Sequence, residues 1–144
     1  MTPTPFPEAF VRLALAALLG GAIGLEREYS HKPAGLRTNM LIAVGSALFS
    51  ILSVELGSGA GSPDRIAAQV VTGIGFLGAG AILRSGDHIH GLTTAATIWV
   101  NAAIGMAAGL GSYTVATVAA AITLVVLALL PWMERFVERR RGRP

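Results

Sequence analysis

The sequence predicts an all-α, polytopic membrane bundle of about five transmembrane helices. Of its 144 residues, 53% are hydrophobic and only 13% are charged, whereas soluble domains carry roughly a quarter charged residues. Five apolar stretches, separated by short polar segments, each approach the length of about 20 residues that crosses a hydrocarbon core. We therefore expect a chain embedded in a lipid bilayer, with a membrane domain at 1–133 and a basic cytoplasmic tail at 134–144.

The first two predicted spans run from about Ala9 to Leu25 and from about Asn39 to Leu56. Gly20 and Gly24 lie four residues apart on one face of the first span, where missing side chains let another helix approach. Polar residues gather between the two spans: Glu26, Arg27, Glu28, Arg37 and Thr38. Either the carboxylates pair with Arg37 or Arg84, or these side chains reach individually toward the membrane surface.

The third predicted span, from Arg65 to Arg84, has no charge between its terminal arginines. Four glycines, at positions where a neighbouring backbone could approach, predict close helix packing: Gly73, Gly75, Gly78 and Gly80. The segment GIGFLG within it has the spacing of a dinucleotide-binding loop. Its apolar surroundings, and the lack of a carboxylate at the expected distance downstream, argue against that function.

Charged residues also gather at the opposite side of the predicted membrane, namely Glu8, Arg12, Glu55, Asp64 and Arg65. Asp64 follows a proline and precedes the third span, which predicts an N-cap. A second interpretation is that this acidic cluster attracts cations.

The fourth predicted span, from about Thr94 to Leu110, carries a polar stripe. Its members are Thr93, Thr97 and Asn101 at intervals of four, with Thr94 and Trp99 nearby. We expect the stripe to face protein, where Gln69 and Thr72 of the third span could form hydrogen bonds with it. An alternative is a conduit in which hydroxyl and amide oxygens replace part of an ion's hydration shell.

The fifth predicted span, from about Tyr113 to Trp132, lacks charged residues and is the plainest lipid-facing candidate. The positive-inside rule predicts an outer N-terminus and a cytoplasmic C-terminus. Only Arg12 and Arg65 then lie outside, and the inner basic residues are Arg27, Lys32, Arg37, Arg84, Arg135, Arg139, Arg140, Arg141 and Arg143. A cleaved signal peptide is a weaker alternative, because the start lacks a basic region and carries Glu8.

Composition and motifs exclude several classes of function. The chain has no cysteine, so thiol catalysis and zinc–thiolate sites are excluded. The net charge of +3 arises mainly in the tail, where arginines after a span favour anionic lipid over nucleic acid. Asp87, His88 and His90 form a short polar loop without a second ligand cluster, which favours a solvated loop over a metal site.

Four sequence blocks resemble the MgtC/SapB family of bacterial membrane proteins. They are GAIGLERE at 21–28, AGLRT at 34–38, DRIAAQVVTGIGFLGAGAIL at 64–83 and GLTTAATIWVNAAIGMAAGLG at 91–111. The resemblance implies a bacterial inner-membrane protein. It also implies a link to growth in low magnesium and to survival inside host macrophages, and inhibition of the proton-translocating ATP synthase for some members. Longer members continue into a soluble domain where this sequence ends at Pro144, so it resembles the short, membrane-only form.

We expect a non-enzymatic protein, because no nucleophile is placed beside a base. Its expected action is in magnesium-linked stress physiology, through helix contacts with further copies of itself or with a membrane complex such as the ATP synthase. The alternative is a small oligomeric transporter or channel for Mg²⁺ or another cation. No cofactor is expected, although Mg²⁺ binding through one or two carboxylates and water stays open.

Overall fold

The computed structural model describes residues 4–57, 65–85 and 88–140. They form the helices α1 (Phe6–Tyr29), α2 (Leu36–Gly57), α3 (Arg65–Gly80), α4 (Leu92–Gly109) and α5 (Tyr113–Arg140), and the strands β1 (Leu83–Ser85) and β2 (His88–His90). Within these ranges, α1, α2, α4 and the part of α5 up to Met133 are long and apolar enough to cross a membrane. The predicted helical membrane bundle is confirmed.

The third helix is shorter than the sequence predicted. It has 16 residues, a length of about 24 Å at a rise of 1.5 Å per residue, whereas the hydrocarbon core is about 30 Å thick. Its last turn tightens, because the N–H groups of Ala81 and Ile82 donate to carbonyls three residues earlier. The prediction that this helix continues to Arg84 is wrong, since Arg84 lies in β1.

A short antiparallel hairpin connects α3 to α4, and the sequence did not predict it. Arg84 is paired with Ile89 in the backbone register, so His88 and His90 belong to a strand instead of the expected loop. Asp87 lies outside the described residues. Gly91 then turns the chain into α4 with a φ of 88°, and a side chain there would collide with the carbonyl of Ala81. This close approach fixes the end of α3 beside the start of α4.

Helix α4 lies at the centre of the bundle, in contact with the four other helices. A Cβ on Gly20 of α1 would lie 2.6 Å from the Cβ of Ala43 in α2. Gly105 of α4 packs against the backbone of the same Ala43. The predicted tight packing at Gly20 is confirmed, and α2 contacts glycines of both α1 and α4.

Alanines make up most of the main buried cluster, whereas many large apolar residues lie on the outside. The main buried cluster contains six alanines: Ala16, Ala43, Ala47, Ala108, Ala116 and Ala120. Phe76 is 82% exposed, and Trp132 of α5 is 64% exposed. Such an arrangement suits a lipid environment, because lipid solvates large apolar side chains and helices associate through close packing. Helix α5 also continues beyond the predicted end at Trp132 and passes through Pro131 without a break.

Candidate functional site

Two fully buried asparagines join α2 to α4 in the middle of the bundle. The Nδ2 group of Asn101 donates to the backbone carbonyl of Asn39 at 2.8 Å and to its Oδ1 at 3.0 Å. The Nδ2 group of Asn39 in turn donates to the carbonyls of Ala34 and Gly35, in the turn between α1 and α2. Asn39 therefore fixes the start of α2 and binds α4 at the same time.

The polar stripe of α4 faces protein, as predicted, but its partner differs from the prediction. Asn101, Thr97 and Thr94 are buried, and the Thr97 hydroxyl donates to the carbonyl of the exposed Thr93 at 2.7 Å. Trp99 is 54% exposed and lies on the outside. Asn39 of α2 provides the hydrogen-bond partner of Asn101.

The expected hydrogen bonds from the third helix are absent among the described residues. Gln69 and Thr72 are both exposed, and Gln69 lines a groove between α3 and α2. The prediction that they meet the stripe is wrong, because the buried face of α3 turns Val70 and Ile74 toward α4 instead.

One acceptor in this interface has no donor among the described residues. The Oδ1 atom of Asn101 is buried and accepts no hydrogen bond. A reversed amide would not improve the arrangement, because Nδ2 already reaches two acceptors of Asn39. The interface thus uses both acceptors of Asn39 and leaves one carbonyl oxygen, that of Asn101, without a donor among the described residues.

A buried arginine marks one end of α1. The Arg27 side chain is 4% exposed, and its Nε lies 3.1 Å from Oε2 of Glu26. The two groups form an ion pair, but the angle between them does not meet the geometry of a hydrogen bond. Oε1 of Glu26 accepts a hydrogen bond from the Ser30 hydroxyl. The predicted pairing of Glu26 with Arg37 is not found, since the adjacent Arg27 occupies that role.

The other carboxylate of this segment caps a helix. Oε2 of Glu28 accepts a hydrogen bond at 3.0 Å from the N–H of Leu36, the first residue of α2, and so stabilises the positive end of the helix dipole. Arg37 and Thr38 are exposed, and Arg37 forms no ion pair with any described residue. Of the alternatives that the sequence left open, the pairing of Glu28 with Arg37 is not found among the described residues.

At the opposite end of the bundle, Arg12 connects α1 to α4. Its guanidinium forms an ion pair with Glu8 and donates to the carbonyl of Gly109 at 2.7 Å, at the end of α4. Glu55 of α2 lies at the same end of the bundle, because its carboxylate accepts a hydrogen bond from the N–H of Thr4, just before α1. The predicted gathering of charges here is confirmed for these residues, while Asp64 lies outside the described residues.

The glycines of α3 contribute little to packing within one chain. A Cβ on Gly78 would lie 3.7 Å from Ala95 of α4, an ordinary contact. At Gly73, Gly75 and Gly80, no described atom would lie within 4 Å. The close packing predicted from these three positions is therefore absent inside the described chain, and Arg65 is exposed at the start of the helix.

Sequence reasoning missed Asn39 as a site residue. Asn39 lies at the predicted boundary of the second span, and a strongly polar amide beside an apolar run is costly to bury without a partner. The second and fourth predicted spans each contain an asparagine, and this was the sequence feature that could have predicted their contact. The choice between Asn39 and Gln69 as the partner required the three-dimensional packing.

A sequence profile described as the MgtC family matches residues 13–136. The chain belongs to the MgtC family. Protein MgtC of Brucella abortus strain 2308 is 49% identical over 141 residues, covering 96% of this chain and 59% of that protein. The Escherichia coli K12 protein named "Putative magnesium transporter YhiD" is 53% identical over 127 residues, covering 83% of this chain and 59% of the relative.

This MgtC family chain thus spans about three fifths of the length of these relatives. No solved structure matches it. Together with the four long apolar helices, the family assignment identifies a multi-pass membrane protein.

Proposed function

We propose that this chain is a non-enzymatic protein of the bacterial inner membrane that acts in magnesium homeostasis under low-magnesium stress. It acts through helix contacts, with further copies of itself and with a membrane complex of which the ATP synthase is the candidate. Membership of the MgtC family and the name of the Escherichia coli relative, "Putative magnesium transporter YhiD", support the link to magnesium. The exposed small residues of α3 support the proposed mechanism of helix contacts.

The glycine-rich helix α3 presents an unoccupied face of small residues. Four exposed residues follow one another at intervals of four, three and four, the spacing of a single helix face: Ala68, Thr72, Gly75 and Ala79. Nothing described lies within 4 Å of a Cβ on Gly75. Since small residues let membrane helices approach most closely, this face suits a second α3 helix.

The buried polar groups support a structural interface over an ion pathway. Asn39 and Asn101 are fully buried and bonded to each other, and the positive charge of Arg27 at one end of α1 is balanced, among the described residues, by Glu26 alone. A neutral ion pair offers no net negative charge to compensate the dehydration of Mg²⁺. This interior therefore suits helix association.

The positive-inside rule supports an outer N-terminus and a cytoplasmic C-terminus if α3 crosses the bilayer. Its length of about 24 Å would require local thinning of the bilayer, which costs only a fraction of a kcal/mol per Å of mismatch. The basic residues Arg27, Lys32 and Arg37 then lie inside, where anionic lipids attract them.

Replacing Gly75 by leucine is expected to weaken self-association at least about tenfold, because the added side chain separates the helix backbones. Fluorescence energy transfer between labelled copies in liposomes, measured across protein-to-lipid ratios, checks this. Ala121→Leu adds bulk at an exposed position on α5 and serves as the matched control. Equal association of the wild type and the Gly75 variant would reject this face. The absence of both self-association and a cross-linked partner would reject the proposed function.

A transporter for Mg²⁺ is the second candidate, favoured by the unused Oδ1 of Asn101, because Mg²⁺ prefers oxygen ligands. Against it, no group of three or more His, Asp or Glu side chains within the described ranges could hold a metal ion. We therefore expect purified protein in liposomes to give Mg²⁺ influx no faster than protein-free vesicles, measured with an entrapped Mg²⁺ indicator. Protein-dependent flux that Asn101→Ala reduces would replace the first candidate with the second.

A further inference from the structure

A groove runs along the outside of the bundle between α2 and α3. Its volume is about 930 Å³, within the range of small-molecule sites. Apolar side chains make up most of the lining, including Leu41, Phe49, Ile74 and Phe76. The groove lies on helices of a membrane bundle and is distinct from the small-residue face of α3, whose four residues do not line it.

Polar groups mark one end of this groove. Arg37 and Thr38, in the first turn of α2, line it and are exposed. Arg37 forms no ion pair within the described part of the chain, and the carboxylate of Glu28 is engaged by the N–H of Leu36. A positive charge and a hydroxyl therefore stand at the mouth of an apolar cleft.

The dimensions of the groove suit a lipid tail. Along α2 it extends from Arg37 to Phe49, a distance of about 18 Å at 1.5 Å per residue. One leaflet of the hydrocarbon core is about 15 Å deep, half of the total thickness. Three glycines widen the cleft, because a Cβ at Gly45, Gly73 or Gly80 would have no described atom of another element within 4 Å. An acyl chain that begins at the level of Arg37 would thus lie in the groove for the depth of a leaflet.

We propose that this groove is a binding site for an anionic phospholipid, whose phosphate pairs with Arg37 and whose acyl chain lies between α2 and α3. Charge complementarity decides between a charged and a zwitterionic headgroup, since Arg37 lacks a carboxylate partner among the described residues. A second copy of the chain is less suited to this cleft. Copies related by symmetry would have to bury the Arg37 guanidinium without an opposite charge.

The headgroup contact is tested on purified full-length chain in neutral detergent. Native mass spectrometry counts the lipid retained after incubation with phosphatidylglycerol or with phosphatidylcholine of identical acyl chains. The wild type is expected to retain phosphatidylglycerol with a preference of about fivefold, the effect of one arginine near an anionic group. Arg37→Gln should abolish the preference, whereas Arg65→Gln, at an exposed arginine outside the groove, should retain it. A preference that survives Arg37→Gln overturns the proposal.

The acyl contact is tested by filling the groove. Gly73→Leu should reduce retention of both lipids, because its side chain would occupy the cleft, while Ala121→Leu on α5 should not. Circular dichroism establishes that the variants are folded, as expected for a position without neighbours within 4 Å. The native mass spectra that count the bound lipid also show the oligomeric state. Unchanged lipid retention, with or without a loss of oligomers, overturns the proposal, and loss of oligomers alone would assign the groove to a second copy.

Discussion

Replacing Gly105 by alanine is expected to destabilise the bundle by about 3 kcal/mol, the upper part of the range for overpacking. The new Cβ would lie 2.8 Å from Cα and 2.9 Å from the carbonyl carbon of Ala43, and closer still to its oxygen. These are backbone atoms, so the strain cannot be relieved by rotating a side chain. The whole of α2 would have to shift, although Gly20 and Asn101 hold the same helix from two sides.

Thermal unfolding in detergent, followed by circular dichroism, measures this effect as a lower midpoint. Gly45→Ala on α2 is the matched control, because no described atom lies within 4 Å of its Cβ. Alanine favours helix over glycine by up to about 1 kcal/mol, so this control should be as stable as the wild type or more stable. A Gly105→Ala protein with an unchanged midpoint would show that α2 and α4 do not pack as closely as described.

Replacing Asn39 by alanine is expected to cost about 2 kcal/mol of stability. The change removes the donor to the carbonyls of Ala34 and Gly35 and one of the two acceptors of Asn101. Hydrogen bonds between membrane helices contribute about 0.6 kcal/mol each on average, and a buried group left without a partner adds its desolvation penalty. The turn between α1 and α2 should loosen together with the contact to α4.

A double-mutant cycle with Asn101→Ala separates these effects. The double variant should lose less stability than the sum of the single variants, because both remove the same contact between the amides. The difference should be at least about 0.5 kcal/mol, measured by equilibrium unfolding in mixed micelles. Additive losses would mean that the two side chains act independently and that their hydrogen bond contributes nothing.

The positions of the helices followed from local sequence, because hydrocarbon requires every backbone polar group to be satisfied within a helix. The stretch from Asn39 to Leu56 lies within α2, and that from Thr94 to Leu110 matches α4 to within two residues. Local sequence was insufficient at the end of α3. The apolar run to Leu83 resembles a helix, but Leu83 begins a strand and pairs with His90 of the second strand.

The sequence also predicted which side of α4 is buried, since the cost of placing Thr97 and Asn101 against lipid depends on those residues alone. Several contacts depended on packing instead. Glu28 caps α2 because the short turn between α1 and α2 brings its carboxylate to the N–H of Leu36. Gln69 is exposed because the apolar side of α3 packs against α4.

By itself, the sequence determined a membrane protein of the MgtC family with helices of known approximate position, because length, hydropathy and motif order are properties of the chain. Only the tertiary structure decided which glycines allow two helices to pack closely within the chain. Gly20 and Gly105 lie against the backbone of other helices, whereas a Cβ at Gly73 or Gly75 of the most glycine-rich helix would meet no described atom within 4 Å. A glycine permits close approach without specifying a partner, so the partner is set by how all the helices pack together.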